Sequence, residues 1–195
     1  MSITHTFSTA LLAACCVLTG SLQAQTTQTA SAPSATDIQG QWASVGPENY
    51  GSHHATRSFS ISERDWRVRY QAFADPQGQQ PLFTIRVAGV YALGNPSSRV
   101  AGAREGIFPA LSRSVTADSD AGVQMFAGMG CALARGQETL LLNTGCGFVP
   151  GLMQSMGEYD LIAQVNGQLF FGDRAGDLSK ARPDKLTPFA LMRRP

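Results

Sequence analysis

The chain has 195 residues, 43% of them hydrophobic, and a net charge of +1 from 15 basic and 14 acidic side chains. That balance excludes the dense basic surface that nucleic-acid binding requires. The length allows one domain with a sizeable core.

Residues 1–24, MSITHTFSTALLAACCVLTGSLQA, contain no Asp, Glu, Lys or Arg. The apolar run Phe7–Leu22 is shorter than the ~20 residues of a bilayer span, and small Ala24 suits the position before a cleavage point. The segment reads as a secretory signal, which sends the rest of the chain to the periplasm or beyond. A second reading treats Leu12-Ala13-Ala14-Cys15 as a bacterial lipobox, with the protein anchored by a lipid on Cys15. Residues 25–36, QTTQTASAPSAT, cannot bury enough apolar area to offset their ordering entropy and are expected to form a flexible tether. Residues 37–195 remain as a single domain.

That domain carries a β signature. Its 159 residues hold nearly all of the chain's 20 glycines, short alternating runs recur between turn residues, and no long 3.6-period stripe occurs. The expected strands are Gln39–Ser44, Thr56–Ser62, Asp65–Ala74, Leu82–Leu93, Arg99–Phe108, Ser114–Ala117, Val123–Ala127, Leu140–Asn143, Tyr159–Val165 and Gln168–Gly172, with Leu186–Met192 as a further edge. Phe83, Ile85, Val87 and Tyr91 fall on one face of the longest run, and Trp66, Val68 and Tyr70 on one face of its predecessor. Val165-Asn166-Gly167-Gln168 predicts a two-residue hairpin turn. About ten consecutive strands in one domain must manage their edges, and closure into an antiparallel barrel does so; a two-sheet sandwich is the other solution.

Cys131 and Cys146 are the only cysteines beyond the signal. In an oxidising compartment they most simply form one disulfide, and a metal site with two thiols and no intervening His is the poorer alternative. His53 and His54 are the weak metal candidates. Neighbours on a strand point to opposite faces, so a shared ion would need a loop geometry. Arg57, Arg86, Arg104 and Glu105 lie on expected strands; an inward Arg–Glu pair, for which Arg86 and Glu105 are the candidates, would make a polar pocket floor. No Gly-x-Ser-x-Gly elbow, Gly-x-Gly-x-x-Gly or P-loop occurs.

Gly40-Gln41-Trp42, at the head of the first strand, resembles the opening signature of lipocalin and related calycin barrels. That likeness implies a structural Trp42 at the closed end with a late basic residue over its ring, for which Arg174, Arg182 and Arg193 are candidates. A longer likeness runs through Arg57-Ser-Phe-Ser-Ile, Ala74-Asp75-Pro76, Pro81–Ile85, Gly89–Gly94 and Val100–Glu105, then Tyr159-Asp160-Leu161, Leu169–Arg174 and Arg182-Pro183. In order and spacing these segments resemble the adenomatosis-polyposis-coli-down-regulated family, secreted or membrane-tethered ectodomains whose animal members antagonise Wnt signalling and which has single-domain bacterial relatives. The family carries a cysteine near the first strand and another after the Asp-Pro turn. Here Val45–Glu48 and Asp75–Gln79 contain neither, as loss of one bridge would leave them. The resemblance implies a lipocalin-like barrel and capture of an acyl chain, and brings no catalytic residue.

The expected protein is therefore an exported, lipocalin-like antiparallel β-barrel of about 8–11 strands. It would bind a small apolar or amphipathic molecule, such as a fatty-acyl group, without catalysis or cofactor. Trp66, Val68, Tyr70, Phe83, Ile85, Val87 and Tyr91 are the expected walls, Arg86 and Glu105 the polar candidates, and Trp42 and Arg57 structural. The closing Arg193-Arg194 adds an envelope membrane surface as a second candidate partner. Two alternatives belong to other classes: a barrel isomerase or cyclase using His53, His54 or Glu105, and a filled barrel acting as a structural or interaction module of the envelope.

Overall fold

The computed structural model describes residues 32–195, so the expected export signal, Cys15 and most of the tether lie outside the described residues. The described chain opens with a one-turn helix α1 (Ala35–Ile38), capped by the Ser34 side chain in a reciprocal capping box with Asp37. The expected tether therefore ends inside ordered structure. Twelve strands follow: β1 (Gly40–Ser44), β2 (Glu48–Asn49), β3 (His54–Ile61), β4 (Asp65–Phe73), β5 (Pro81–Val90), β6 (Ala92–Pro96), β7 (Ala103–Ile107), β8 (Ala110–Ala117), β9 (Glu138–Leu140), β10 (Tyr159–Val165), β11 (Gln168–Phe171) and β12 (Leu191–Arg194). Helix α2 (Asp120–Gly128) lies between β8 and β9, and a short 3₁₀ turn covers Leu152–Gln154.

The pairing is antiparallel between every named pair of strands and runs β6-β7-β10-β11-β12-β1-β3-β4-β5-β8-β9, with the short β2 beside β3. Only Tyr91 separates β5 from β6, and only Phe108 and Pro109 separate β7 from β8. The four are the halves of one bent hairpin. Its first arm pairs with β4 and its second with β10, so the bent hairpin links both sides of the path and the sheet curls into a barrel-like wall. The bend is built into the residues. A Cβ on Gly89 would sit 1.9 Å from the Pro109 carbonyl oxygen, Pro109 donates no hydrogen bond, and the ladder shifts register at Ala88/Gly89. Only a glycine allows the arms to approach this closely.

Several expected boundaries change for physical reasons. Val123–Ala127 is not a strand but the body of α2. Ser119 caps that helix by accepting from the Gly122 N–H, and Val123 and Phe126, three residues apart, turn one face toward β5. The run Leu82–Leu93 breaks at the bend. Residues 97–102 form a turn in which the Ser97 hydroxyl accepts from the Arg99 and Val100 amides, so the strand expected from Arg99 begins at Ala103. The strand expected over Leu140–Asn143 lies slightly earlier, at Glu138–Leu140. Pro188 interrupts the expected Leu186–Met192 strand, and pairing resumes at Leu191. The Asn166-Gly167 turn has φ values of +52° and +75° between β10 and β11, the geometry that this dipeptide favours.

Two apolar clusters occupy the two ends of the barrel. The lower one gathers Ile38, Trp42, Ile61, Trp66, Ile162 and Leu191 with neighbouring rings. Trp42 is 1% exposed; its indole N–H donates to the Ile38 carbonyl at 2.7 Å. Arg193 is the late cation over its ring, 4.3 Å from the centroid, and also donates to the Gln39 and Asp37 carbonyls. The upper cluster joins Ala72, Phe83 and Val115 to Phe126 of α2 and to Leu133, Leu141 and Val149 of the segment that follows. Cys131 and Cys146 are disulfide-bonded within this segment, with their Cα atoms 5.3 Å apart. No helix among the described residues is long and apolar enough to cross a membrane.

Candidate functional site

Strand alternation sends a graded series of side chains into the barrel. From the Trp42 end upward, β3 presents Ile61, Phe59 and Arg57, while β4 presents Trp66, Val68 and Tyr70. The register sets Phe59 beside Val68 and Val87, and Arg57 beside Tyr70 and Ile85. On β10, Asp160 follows the same parity as Ile162, and both are buried. The interior is thus apolar below and polar above.

Between the two clusters lies a cavity of about 450 Å³, within the usual range for a small-molecule pocket. Phe59, Trp66, Val68, Val87, Phe108 and Phe171 make its apolar part. Arg57, Arg113, Glu158, Asp160 and Arg174 make its polar part, beside Tyr50 and Tyr70. The segment Phe148-Val149-Pro150 contributes a further wall; Phe148 stacks on Phe126 yet is 55% exposed.

The polar groups form a connected network. Arg57 holds Glu48 with two hydrogen bonds, Nε to Oε2 at 2.8 Å and Nη2 to Oε1 at 3.0 Å, and donates to the Phe189 carbonyl. Ser44 and Tyr50 donate to the same carboxylate. Arg113 donates to the carbonyls of Pro150, Gly151 and Ser155, with Glu158 3.7 Å away, so it pins the segment above it to β8. Arg174 bridges Asp160, at 3.0 Å, and Glu158. Asp160 is 3% exposed, and its other oxygen accepts from the Leu161 and Gly172 amides. Burial pushes its pKa up to about 6 against the pull of Arg174 and those amides. Burial also drives the Tyr50 and Tyr70 hydroxyls well above the usual phenol range, and so keeps them neutral.

The expected wall residues divide. Trp66, Val68, Tyr70, Ile85 and Val87 line the cavity. Phe83 instead packs into the upper cluster against Phe126 and Phe148. Tyr91 sits at the bend, stacked on Phe108, and donates to the Ser62 carbonyl. Arg86 and Glu105 do not form an inward pair. Arg86 is exposed, across from Ser114 on β8, with Glu138 3.9 Å away. Glu105 lies 3.5 Å from Arg182, on the opposite face from the inward positions of β7. Both occupy the strand parity that alternation turns outward. Arg57 belongs to the polar wall as well as to the fold. The His53 ring nitrogen shares a hydrogen bond with the Tyr70 hydroxyl, and burial, then the neighbouring His54, lowers its pKa. No group of three or more His, Cys, Asp or Glu among the described residues is arranged to hold a metal ion.

Arg113, Glu158, Asp160 and Tyr50 were not expected at the site. The parity of Asp160 with Ile162 was readable along β10. Glu48, Tyr50 and Glu158 stand on a two-residue strand or in connecting chain, where alternation says nothing about direction. Compared with known proteins, the chain matches no family model and no curated protein.

Proposed function

We propose that this protein is an exported, non-catalytic binding protein for a small amphipathic ligand with an apolar chain, such as a fatty-acyl group. The observation that carries the proposal is the interior cavity of about 450 Å³, with aromatic and aliphatic walls below and a hydrogen-bonding rim above. An apolar chain laid against Phe59, Val68, Val87 and Phe171 would gain about 25 cal/mol for each Å² removed from water. Its polar end would meet the rim, where the guanidinium and phenol groups lie. The likeness to the adenomatosis-polyposis-coli-down-regulated family points the same way. The disulfide suits an oxidising compartment, which supports export.

The enzyme alternative asks for a titratable pair in the cavity. The buried carboxylates Glu48 and Asp160 are instead engaged by arginines, and His53 by Tyr70. That arrangement favours holding a ligand over moving a proton. Native mass spectrometry of protein purified from its own envelope without detergent tests the proposal. Co-purified amphiphile is the expected result. Bare protein that also rejects fluorescent fatty acids would overturn it.

A further inference from the structure

A second cavity of about 310 Å³ lies against the first, and Pro150, Glu158 and Arg174 line both. The rest of its wall is mixed, with Gln154, Ser155, Gly176, Asp177 and Ser179 beside the apolar Leu178. Arg174, half exposed, stands at the neck between the two with its guanidinium on Glu158 and Asp160. From this juxtaposition we infer that the outer cleft is a head-group subsite for an uncharged, hydroxyl-rich head, while the tail of the same amphiphile occupies the barrel. The inference rests on the binding function proposed above and names its ligand class.

Charge decides the class. Each cation at the site already has an anion: Arg57 has Glu48, Arg113 and Arg174 have Glu158, Arg174 also has Asp160, and Lys180 has Asp177 at 2.9 Å. Four cations face four carboxylates, and no guanidinium is left with its charge unanswered. A carboxylate or phosphate head seated on Arg174 would compete with Glu158 and with the buried Asp160 carboxylate, and displacing the latter strands one charge. A hydroxylated head requires no displacement. Its oxygens can accept from the Gln154 amide, whose Oε1 is already taken by the Gly145 and Gly151 N–H groups, leaving its N–H donors. Its hydroxyls can donate to free lone pairs on Glu158 and Asp177. Hydrogen bonds to charged groups are the stronger kind. The same pattern discriminates against anions by leaving them unpaired.

The test compares two probes with the same ten-carbon acyl chain, decanoate and monodecanoylglycerol, at pH 7.5 and below their aggregation limits. Binding is read by calorimetry and by tryptophan fluorescence, to which Trp66 in the cavity wall contributes. Monodecanoylglycerol should bind about tenfold more tightly, the gain expected of two or three added hydrogen bonds. Gly176→Leu should abolish that preference while leaving decanoate affinity unchanged. Gly176 lines the cleft, has ordinary φ, and an added Cβ meets nothing within 4 Å. Ser179→Ala, a milder change, should narrow the preference two- to fivefold. Equal affinity, tighter decanoate, or a preference untouched by both variants would overturn the inference and leave the binding function standing. If neither probe binds the unmodified protein, both fall together.

Discussion

Asp160 is the residue at which burial and charge compete most directly. Folding takes its carboxyl out of water, and Arg174 together with two backbone amides returns only part of the lost solvation. Its folded pKa of about 6 lies above the ordinary aspartate value, so the folded state binds its proton more tightly than the unfolded one. The sign follows from proton linkage: this group's contribution to stability is fully present below the unfolded pKa near 4 and is lost as pH rises through about 6. Asp160→Asn removes that dependence and keeps an oxygen for the Leu161 and Gly172 amides. Chemical denaturation at pH 7.0 and pH 4.5 should show wild type gaining stability relative to Asp160→Asn as pH falls. A gap that does not move would mean that Arg174 fully compensates the charge. Such a group is hard to find in a sequence, because its character comes from burial inside the folded wall, opposed by Arg174, fourteen residues away along the chain.

At the scale of elements, the segment between α2 and β10 is the longest with little regular structure, and the disulfide and Arg113 hold it down. Cys131 follows α2, and Cys146 stands two residues before Phe148, which helps to wall the cavity. Closing a loop of 15 residues should stabilise the folded state by about 3 kcal/mol through the entropy it removes from the unfolded chain. Dithiothreitol should therefore lower the melting temperature, and the Cys131→Ser/Cys146→Ser double variant should melt at the same reduced value in either buffer. An unchanged melting temperature would show that the bridge does not carry this load. The same region holds the clearest misreading of local pattern. Val123-Gln124-Met125-Phe126-Ala127 alternates well enough for a strand, but Ser119 and Asp120 supply a cap and an acidic first turn, and Phe126 packs on Phe83 at one helical face. A five-residue run fits both periods, and the cap resolves which one holds.

For the whole molecule, the central question is whether the barrel interior is filled or hollow. Rings close both ends, and the space between them is bounded by Phe59, Val68, Val87 and Phe171. Val87→Trp would place an indole in that space without adding charge. It should abolish binding of ten-carbon amphiphiles while the far-ultraviolet spectrum and cooperative unfolding persist, although over-packing strain costs about 1–3 kcal/mol. A variant that folds and binds normally would place the ligand elsewhere. The fold itself depends on one long-range feature. The bent hairpin lets β5 pair with β8 and β6 with β7, so its two arms connect β4 to β10. Gly89 and Pro109 mark the bend in the sequence, but nothing local says that their backbones touch.

The sequence by itself determined the β class, the Asn166-Gly167 hairpin, the cysteine pair and the inward face of β4 and β5. Each is local or period-two information, which alternating side chains and turn residues express directly. Only the tertiary structure decided that Arg193 is the cation over Trp42, and that Arg57, Arg113, Asp160 and Arg174 converge on one rim. Those residues come from four separate segments, and their meeting depends on the tilt and curl of the whole sheet. Direction on a strand is a property of neighbours in sequence. Convergence is a property of the closed wall, and no short stretch of chain contains it.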